Sequence, residues 1–397
     1  MVLTNKQEVG LRTILERYKA GKKYTTVSGY AGTGKSTLVK YAIQALDVEE
    51  SKVAYATYTG KAAEVLRSKG NKGAITLHKL LYQHVPKIGG GFYRKPKPFL
   101  EVTIVVVDEV SMVPKTMIDL LLSHNVYVIF LGDPFQLPQI NKDDVHDLLD
   151  HPHIFLDEVM RQAQDSEIIR MTMDIRAQKP IEYNHGNEVL VIPKKELNTG
   201  HLTWADQILV ATNRTRLDIN NQMRELYGFS GLPQEGERLI CLKNYWDDCS
   251  TSGDALVNGT VGILKHPYET FANAPGYIQM RNHKIEYLCG DFYPDGDING
   301  GCFEGVRMDK QMFLTGEFSL EWRESYALNK KKERIGDLVP KEFTYAYAIT
   351  THKAQGSEWP KVLVIEESFP FDKIEHARWL YTACTRASER LVLVRNE

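Results

Sequence analysis

The chain has 397 residues, enough for two or three domains with cores of their own, and its 43% hydrophobic and 25% charged content is that of an ordinary globular protein. Net charge is −2, which neither argues for a nucleic-acid partner nor excludes one, since a groove can be positive on a neutral protein. No apolar run approaches the roughly 20 residues that cross a bilayer. MVLTNKQEVG has no signal-peptide pattern, and five cysteines without a C-x-x-C pair predict neither a disulfide framework nor a zinc site, so a reducing cytoplasm is expected.

In chain order, TTVSG (25–29) predicts a strand and GKSTLVKYAIQAL (34–46) a helix, with a glycine-rich loop between them. KVAYATY (52–58) predicts a second strand and KAAEVLRS (61–68) a second helix. YQHVPKIGGGFYRKPKPFLE (82–101) interrupts this alternation: three glycines at 89–91, flanked by aromatic, basic and proline residues, predict a projecting hairpin. TIVVVDE (103–109) and VYVIFLGD (126–133) complete the pattern of a parallel sheet covered on both faces, a first domain at 1–150. QILVATN (207–213), RTRLDINNQMREL (214–226), YAYAIT (345–350), VLVIEES (362–368), KIEHARWLYTACTRA (373–387) and LVLVR (391–395) predict a second α/β domain, 151–261 with 343–397. Short strands and turns such as GYIQM, KIEYLCG, YPDGDINGG and QMFLTGEFSLEW mark 262–342 as an inserted β-module. The expected fold class is α/β with two parallel sheets.

Gly29, Gly34, Lys35 and Ser36 fit G-x-x-x-x-G-K-[ST] between a predicted strand and helix, the context this phosphate-binding loop needs. The glycines let backbone N–H groups converge on phosphates at a helix N-terminus. Lys35 is expected to neutralise the β- and γ-phosphates of ATP, and the Ser36 hydroxyl to coordinate Mg²⁺. VVVDE supplies Asp108, on a strand expected beside the loop, as a second metal ligand, and Glu109 as acceptor of a proton from the attacking water. In GDPFQLPQ (132–139), Gln136 falls at a strand's C-terminal end, where open α/β sheets bind ligands.

These residues resemble a superfamily 1 DNA helicase of the 5′-to-3′ branch, the RecD-like and phage Dda-like group. LTNKQ (3–7) is similar to the family's adenine-reading glutamine motif and GYAGTGKST to motif I, which implies that Gln7, Gly29, Gly32, Thr33, Gly34, Lys35, Ser36 and Thr37 bind the nucleotide. ATYTGKAAEVL (56–66), TLHKLL (76–81), VVVDEVSM, GDPFQLPQ, LDEVMRQ (156–162), AITTHKAQGSEW (348–359) and LYTACTRA (380–387) resemble the later motifs in order, and LVNGTVG (256–262) their lead-in to an inserted module. The resemblance implies two RecA-like domains, an SH3-like barrel for the module, and two arginines, Arg161 and Arg386, that reach the γ-phosphate from beyond the first domain. It implies single-stranded and forked DNA as partner, replication or recombination proteins around it, and no need for more than a monomer. Strand contacts are implied at Thr59, Lys61, His78, Asn213, Thr351, His352 and Lys353, and a strand-separating pin at Phe92 and Tyr93. Tyr30-Ala31 departs from the proline that many relatives carry before the motif I glycines, and Tyr58 and Gln139 also depart.

Other patterns carry less. DGDING (295–300) starts like a calcium loop, but its twelfth position is Val306, so it reads as a turn. HPH (151–153) reads as a loop, no metal cluster forms around His78 or His352, and NKKKER (329–334) reads as a solvated face. The expected activity is ATP-driven 5′-to-3′ translocation and unwinding. The alternative is a nucleotide-dependent switch or loading subunit that binds DNA without unwinding.

Overall fold

The computed structural model describes residues 3–86, 92–138, 144–160, 165–251, 255–295, 301–370 and 372–396. Contacts divide the chain into two units, one of Met1–Gln83, Pro96–Arg216 and Ile349–Glu397, the other of His84–Lys95 and Leu217–Ala348.

The first unit holds two six-stranded sheets. One runs, in spatial order, Ile75–Thr76, Val53–Thr57, Ile104–Val107, Tyr127–Gly132, Tyr24–Gly29 and Ile154–Leu156, with every pairing parallel. The buried strand Ile104–Val107 shows why. Val105 and Val107 pack into one core with Met117, Leu121 and Phe130, while Ile104 and Val106 pack into another with Ile14, Leu38 and Ile129. Successive side chains point to opposite faces, so a strand apolar at every position needs helices on both sides. The strand that ends at Asp108 does not touch the loop-bearing strand 24–29, because 127–132 lies between them. The expected adjacency is thus corrected, yet all three strands end on the same edge.

The second sheet runs Ala348–Thr350, Gln207–Val210, Trp359–Ile365, Ala387–Arg395, Val189–Pro193 and Asn184–His185. The pairings 207–210 with 359–365, 359–365 with 387–395, and 387–395 with 189–193 are parallel; the edge strand 184–185 is antiparallel. The helix Lys373–Cys384 starts on Asp372, whose carboxylate accepts the N–H groups of Ile374 and Glu375.

In the second unit, five strands form a sheet in the order 303–309, 284–294, 261–273, 238–241 and 343–345, antiparallel throughout. Met308, on one edge strand, forms an isolated parallel bridge with Lys341, which precedes the other edge strand 343–345. Strands of 13 and 11 residues replace the expected short ones. QMFLT, expected as strand, is helical within Lys310–Thr315, because Asp309 caps it through the Met312 N–H and Gly316 ends it at φ +77°. A further helix, Trp322–Ile335, carries the basic run at 329–334. Most of DGDING lies outside the described residues, between strands Lys284–Pro294 and Phe303–Asp309.

Tyr82–Pro86 and Phe92–Pro96 pair as a two-stranded hairpin, with Gly89–Gly91 outside the described residues. Among the described residues no helix is long and apolar enough to cross a membrane.

Candidate nucleotide site

The loop after strand 24–29 turns through Gly32 and Gly34, at φ +75° and +77°, a region open at little cost only to glycine. A Cβ on Gly34 would lie 2.4 Å from Gln7 Nε2, and one on Gly29 would lie 2.6 Å from the Leu156 carbonyl. Lys35 Nζ donates to the carbonyls of Gly29 (2.6 Å) and Tyr30 (2.9 Å), so its charge sits inside the turn. The Thr33 hydroxyl is buried and donates to the Tyr30 carbonyl at 2.8 Å. Ser36 is exposed and Thr37 half-buried on the first turn of the helix Lys35–Leu46, whose N-terminus faces the loop. The amide of Gln7 is engaged at both ends: Oε1 accepts from the Thr4 N–H at 3.1 Å in a capping box, and Nε2 donates to the Thr33 and Gly34 carbonyls at 3.4 Å each. In this arrangement Gln7 braces the loop.

Asp108 and Glu109 stand at the same sheet edge. Asp108 Oδ1 accepts the Glu109 N–H at 2.9 Å. Burial, then the neighbouring Glu109 charge, pushes the Asp108 carboxyl up to about 6, against the pull of the Glu109 N–H and of Lys35. Glu109 itself sits at φ +54°, a left-handed conformation that costs a non-glycine residue on the order of 1 kcal/mol and that marks functional sites. Ser36 and Asp108 fit a hard cation completed by substrate oxygens. Among the described residues no cluster of three or more His, Cys, Asp or Glu forms a cage of its own.

The second sheet sends five side chains to this edge. Tyr381, buried in the helix Lys373–Cys384, accepts from the Ala31 N–H of the phosphate loop at 2.9 Å and donates to Asp133 at 2.5 Å. Asp133 is buried, which raises its pKa; the charge of Lys35 and the Tyr381 hydroxyl pull it back. Thr382 Oγ1 accepts the Leu137 N–H at 3.0 Å, and Gln355 Nε2 donates to the Leu137 carbonyl at 2.6 Å. Arg386 is buried, and its guanidinium donates to the carbonyls of Thr382 and Ser357 and to Thr385 Oγ1. With its amide oriented to satisfy both neighbours, Gln136 donates to Glu109 Oε2 at 3.1 Å and accepts from Arg386 Nη2 at 3.3 Å. One polar chain thus joins Glu109, Gln136 and Arg386. The fifth side chain is Arg176, at the end of the helix Glu167–Arg176, whose guanidinium lies 3.5 Å above the Tyr30 ring. Arg161 lies outside the described residues, but the Met160 N–H just before it donates to the Gly32 carbonyl at 2.9 Å.

The implied strand contacts divide. Thr59 caps the helix Gly60–Ser68 through the Ala62 N–H, and Lys61 pairs with Glu64 at 3.1 Å. Gly356, at φ +74°, packs so closely on this turn that a Cβ would lie 2.9 Å from Ala62 Cβ. His78 is half-buried between Tyr58 and Tyr82, ring centroids 5.7 and 6.0 Å away. Asn213 opens a helix and accepts from Arg216 Nε at 3.2 Å, while Glu367 holds the preceding loop by accepting from the Ala211 and Thr212 N–H groups and the Thr212 and Thr215 hydroxyls. His352 and Lys353 are half-buried, and burial lowers the His352 pKa. Thr351 is the correction: fully buried, it donates to the Val210 carbonyl at 3.4 Å and offers nothing to a strand. Phe92 and Tyr93 lie in the second hairpin strand. Asp133, Tyr381, Thr382 and Gln355 lie inside the motif strings without a local pattern that marks them, and Arg176 and Glu367 lie outside those strings.

Two parallel sheets, a phosphate loop, a DE pair and an arginine delivered from the second sheet define a P-loop nucleotide hydrolase fold of the two-sheet kind. A model for an AAA domain matches residues 2–189, and one for the UvrD-like helicase C-terminal domain matches 345–394. The chain is similar to the ATP-dependent DNA helicase dda of Enterobacteria phage T4, 29% identical, with 97% of each chain covered. It is also similar to the ATP-dependent RecD2 DNA helicase of Deinococcus radiodurans, 26% identical over 94% of this chain and 47% of that protein. An uncharacterised Methanocaldococcus jannaschii protein is 23% identical over 94% of this chain and 36% of its own length, so the chain spans half or less of these last two relatives. The fold is shared with the Bacteroides Pif1 bound to single-stranded DNA, at TM-score 0.52 and 18% identity, covering 100% of this chain and 92% of that one. The matched models and these relatives support a superfamily 1 helicase of the RecD and Dda type.

Proposed function

We propose that this chain is an ATP-dependent DNA helicase that moves 5′ to 3′ along single-stranded DNA and opens forked duplexes. The observation that carries this reading is the chain from Glu109 through Gln136 to Arg386, which joins the carboxylate on the first sheet to an arginine on the second. Lys35 neutralises the terminal phosphates, Glu109 takes a proton from the attacking water, and Arg386, with Arg161, stabilises charge on the transferring group. Bound magnesium, held by Ser36 and Asp108, would neutralise phosphate oxygens. Because groups from both sheets meet one substrate, its hydrolysis shifts the sheets against each other, and Thr59, Lys61, His78, Asn213, His352 and Lys353 grip the strand in alternation. The lobe expected at 1–150 extends through strand Ile154–Leu156, which pairs in the first sheet, and the lobe expected at 151–261 with 343–397 is the second sheet without 238–241 and 343–345, which pair in the five-stranded sheet. The 82–101 hairpin acts as the pin, with Phe92 and Tyr93 against the terminal base pair. The bridge at Met308 and Lys341 supports an SH3-like barrel for 262–342. The protein acts as a monomer in the cytoplasm, alongside replication or recombination proteins.

The test is the ATPase rate with and without single-stranded DNA, paired with unwinding of 5′-tailed and 3′-tailed duplexes. Strong stimulation, lost in Lys35→Ala, and opening of the 5′-tailed substrate are expected. A rate indifferent to the strand replaces the helicase by a DNA-binding switch.

A further inference from the structure

The helix Trp322–Ile335 in the second unit is oriented by what it buries. Leu328 is 1% exposed and packs with Ile285, Tyr287 and Cys289, and the buried Glu324 accepts the Arg281 N–H at 2.6 Å. That choice turns the opposite face outward, and on it Trp322, Tyr326, Lys330 and Arg334 follow at intervals of four residues. Four-residue neighbours share one helix face, so the row runs about 18 Å along the surface. Trp322 is 76% exposed and Tyr326 56%; their rings stack, 5.5 Å apart and 16° from parallel.

The ring half of the row is not explained by the fold. A tryptophan this exposed adds little to a core, and an aromatic pair four residues apart adds little to a helix. Basic residues near a helix C-terminus suit its dipole, which accounts for Arg334 but not for the rings. Arg323, Lys330 and Arg334 have no carboxylate partner among the described residues, whereas neighbouring Lys332 pairs with Asp337 at 3.1 Å.

We infer that Trp322, Tyr326, Lys330 and Arg334 form a second seat for single-stranded DNA, bases lying on the ring pair and phosphates on the two cations. The choice of ligand rests on the helicase reading proposed above. Unpaired bases offer the flat faces that an exposed ring pair can stack on, without regard to sequence, and the cations in the same line complement the backbone. An acidic polypeptide would use the cations and leave the coplanar rings without a role.

The test uses the full chain, a long oligothymidylate as probe and a salt titration. Trp322→Ala with Tyr326→Ala is expected to weaken binding about tenfold, and Phe at both positions to restore it. Lys330→Ala with Arg334→Ala is expected to flatten the slope of log affinity against log salt by about 1.4, two phosphate contacts at roughly 0.7 each. All four side chains lie on the outward face, so unfolding midpoints stay at the wild-type value. ATPase stimulation at saturating strand also stays, because the seat lies outside the hydrolysis machinery. Wild-type affinity in the ring variant, an unchanged slope in the cation variant, or displacement of the oligonucleotide by polyglutamate overturns the inference while the helicase reading stands. A wild-type chain that neither binds the strand nor responds to it overturns both.

Discussion

Replacing Tyr381 by phenylalanine removes one oxygen and leaves the ring, which meets Phe135 edge-on at 5.3 Å, in place. That oxygen has two partners in a dry setting: Tyr381 is 1% exposed and Asp133 2%. Its donation to the carboxylate is a charge-assisted bond worth about 1.5–3 kcal/mol, and the Ala31 N–H it leaves behind costs about 1–3 kcal/mol if unmet. Together the loss is on the order of 3 kcal/mol. If it falls wholly on the transition state, kcat/KM for ATP drops about a hundredfold. The pH dependence fixes the mechanism. Tyr381 is one of the groups that hold the Asp133 pKa down against burial, so in the variant that pKa rises further. An acid whose folded pKa is raised costs stability while it is ionised, so the deficit is full at high pH and shrinks as pH falls through the raised value. Urea midpoints at high and low pH, with a double-mutant cycle against Asp133→Asn, measure both effects. Additive single mutants, or a deficit that grows as pH falls, would refute the linkage between helix Lys373–Cys384 and the phosphate loop.

Three further outcomes are expected. Arg386→Ala lowers kcat by about a thousandfold or more while KM for ATP moves little, read by steady-state kinetics at saturating strand, because an arginine on the transferring group acts chiefly in the transition state. Asp108→Asn stabilises the metal-free protein: the folded pKa of about 6 lies above the unfolded value, so the native carboxylate costs stability that sets in above pH 4 and is complete above pH 6. Melting in EDTA is expected to show a gain on the order of 1–3 kcal/mol at pH 8 and none at pH 4. Glu367→Gln loosens the loop that leads into Asn213 and weakens single-strand affinity about tenfold, with basal ATP hydrolysis unchanged, measured by fluorescence anisotropy and phosphate release.

The phosphate loop was legible in the sequence because its constraints are local. Gly32 and Gly34 sit where only glycine is at ease, and the strand and helix on either side declare themselves within a dozen residues. The parallel sheets were legible for a similar reason, since a run such as Ile104–Val107 is too apolar to face water on either side. The inserted module was less so: QMFLT has strand-forming composition, and its helix depends on the caps Asp309 and Gly316. Thr351 was expected to contact the strand, yet the register of its short helix turns it inward to Val210. Asp133 and Tyr381 are 248 residues apart, so no local pattern could pair them. What failed to show was long-range polar contact, which is set by the packing of two sheets rather than by periodicity.

In the proposed cycle, the segment 133–137 couples movement to hydrolysis. Leu137 gives its N–H to Thr382 and its carbonyl to Gln355, so both backbone groups of one residue are held by the second sheet. Asp133, four residues earlier, is held by Tyr381. Gln136 lies between these fastenings, on a segment that leaves the first sheet at Gly132. A shift of the second sheet therefore carries Gln136 with it, while Glu109 stays on its own strand at φ +54°. The 3.1 Å contact from the buried Gln136 amide to the half-buried Glu109 carboxylate is then the element that stretches, because the two bonds to Leu137, at 2.6 and 3.0 Å, resist displacement more than this single one does. In the proposed cycle this makes Gln136 the point where sheet displacement is read by the residue that activates water. Cutting Thr382 or Gln355 should therefore leave nucleotide affinity in place and uncouple hydrolysis from movement along the strand.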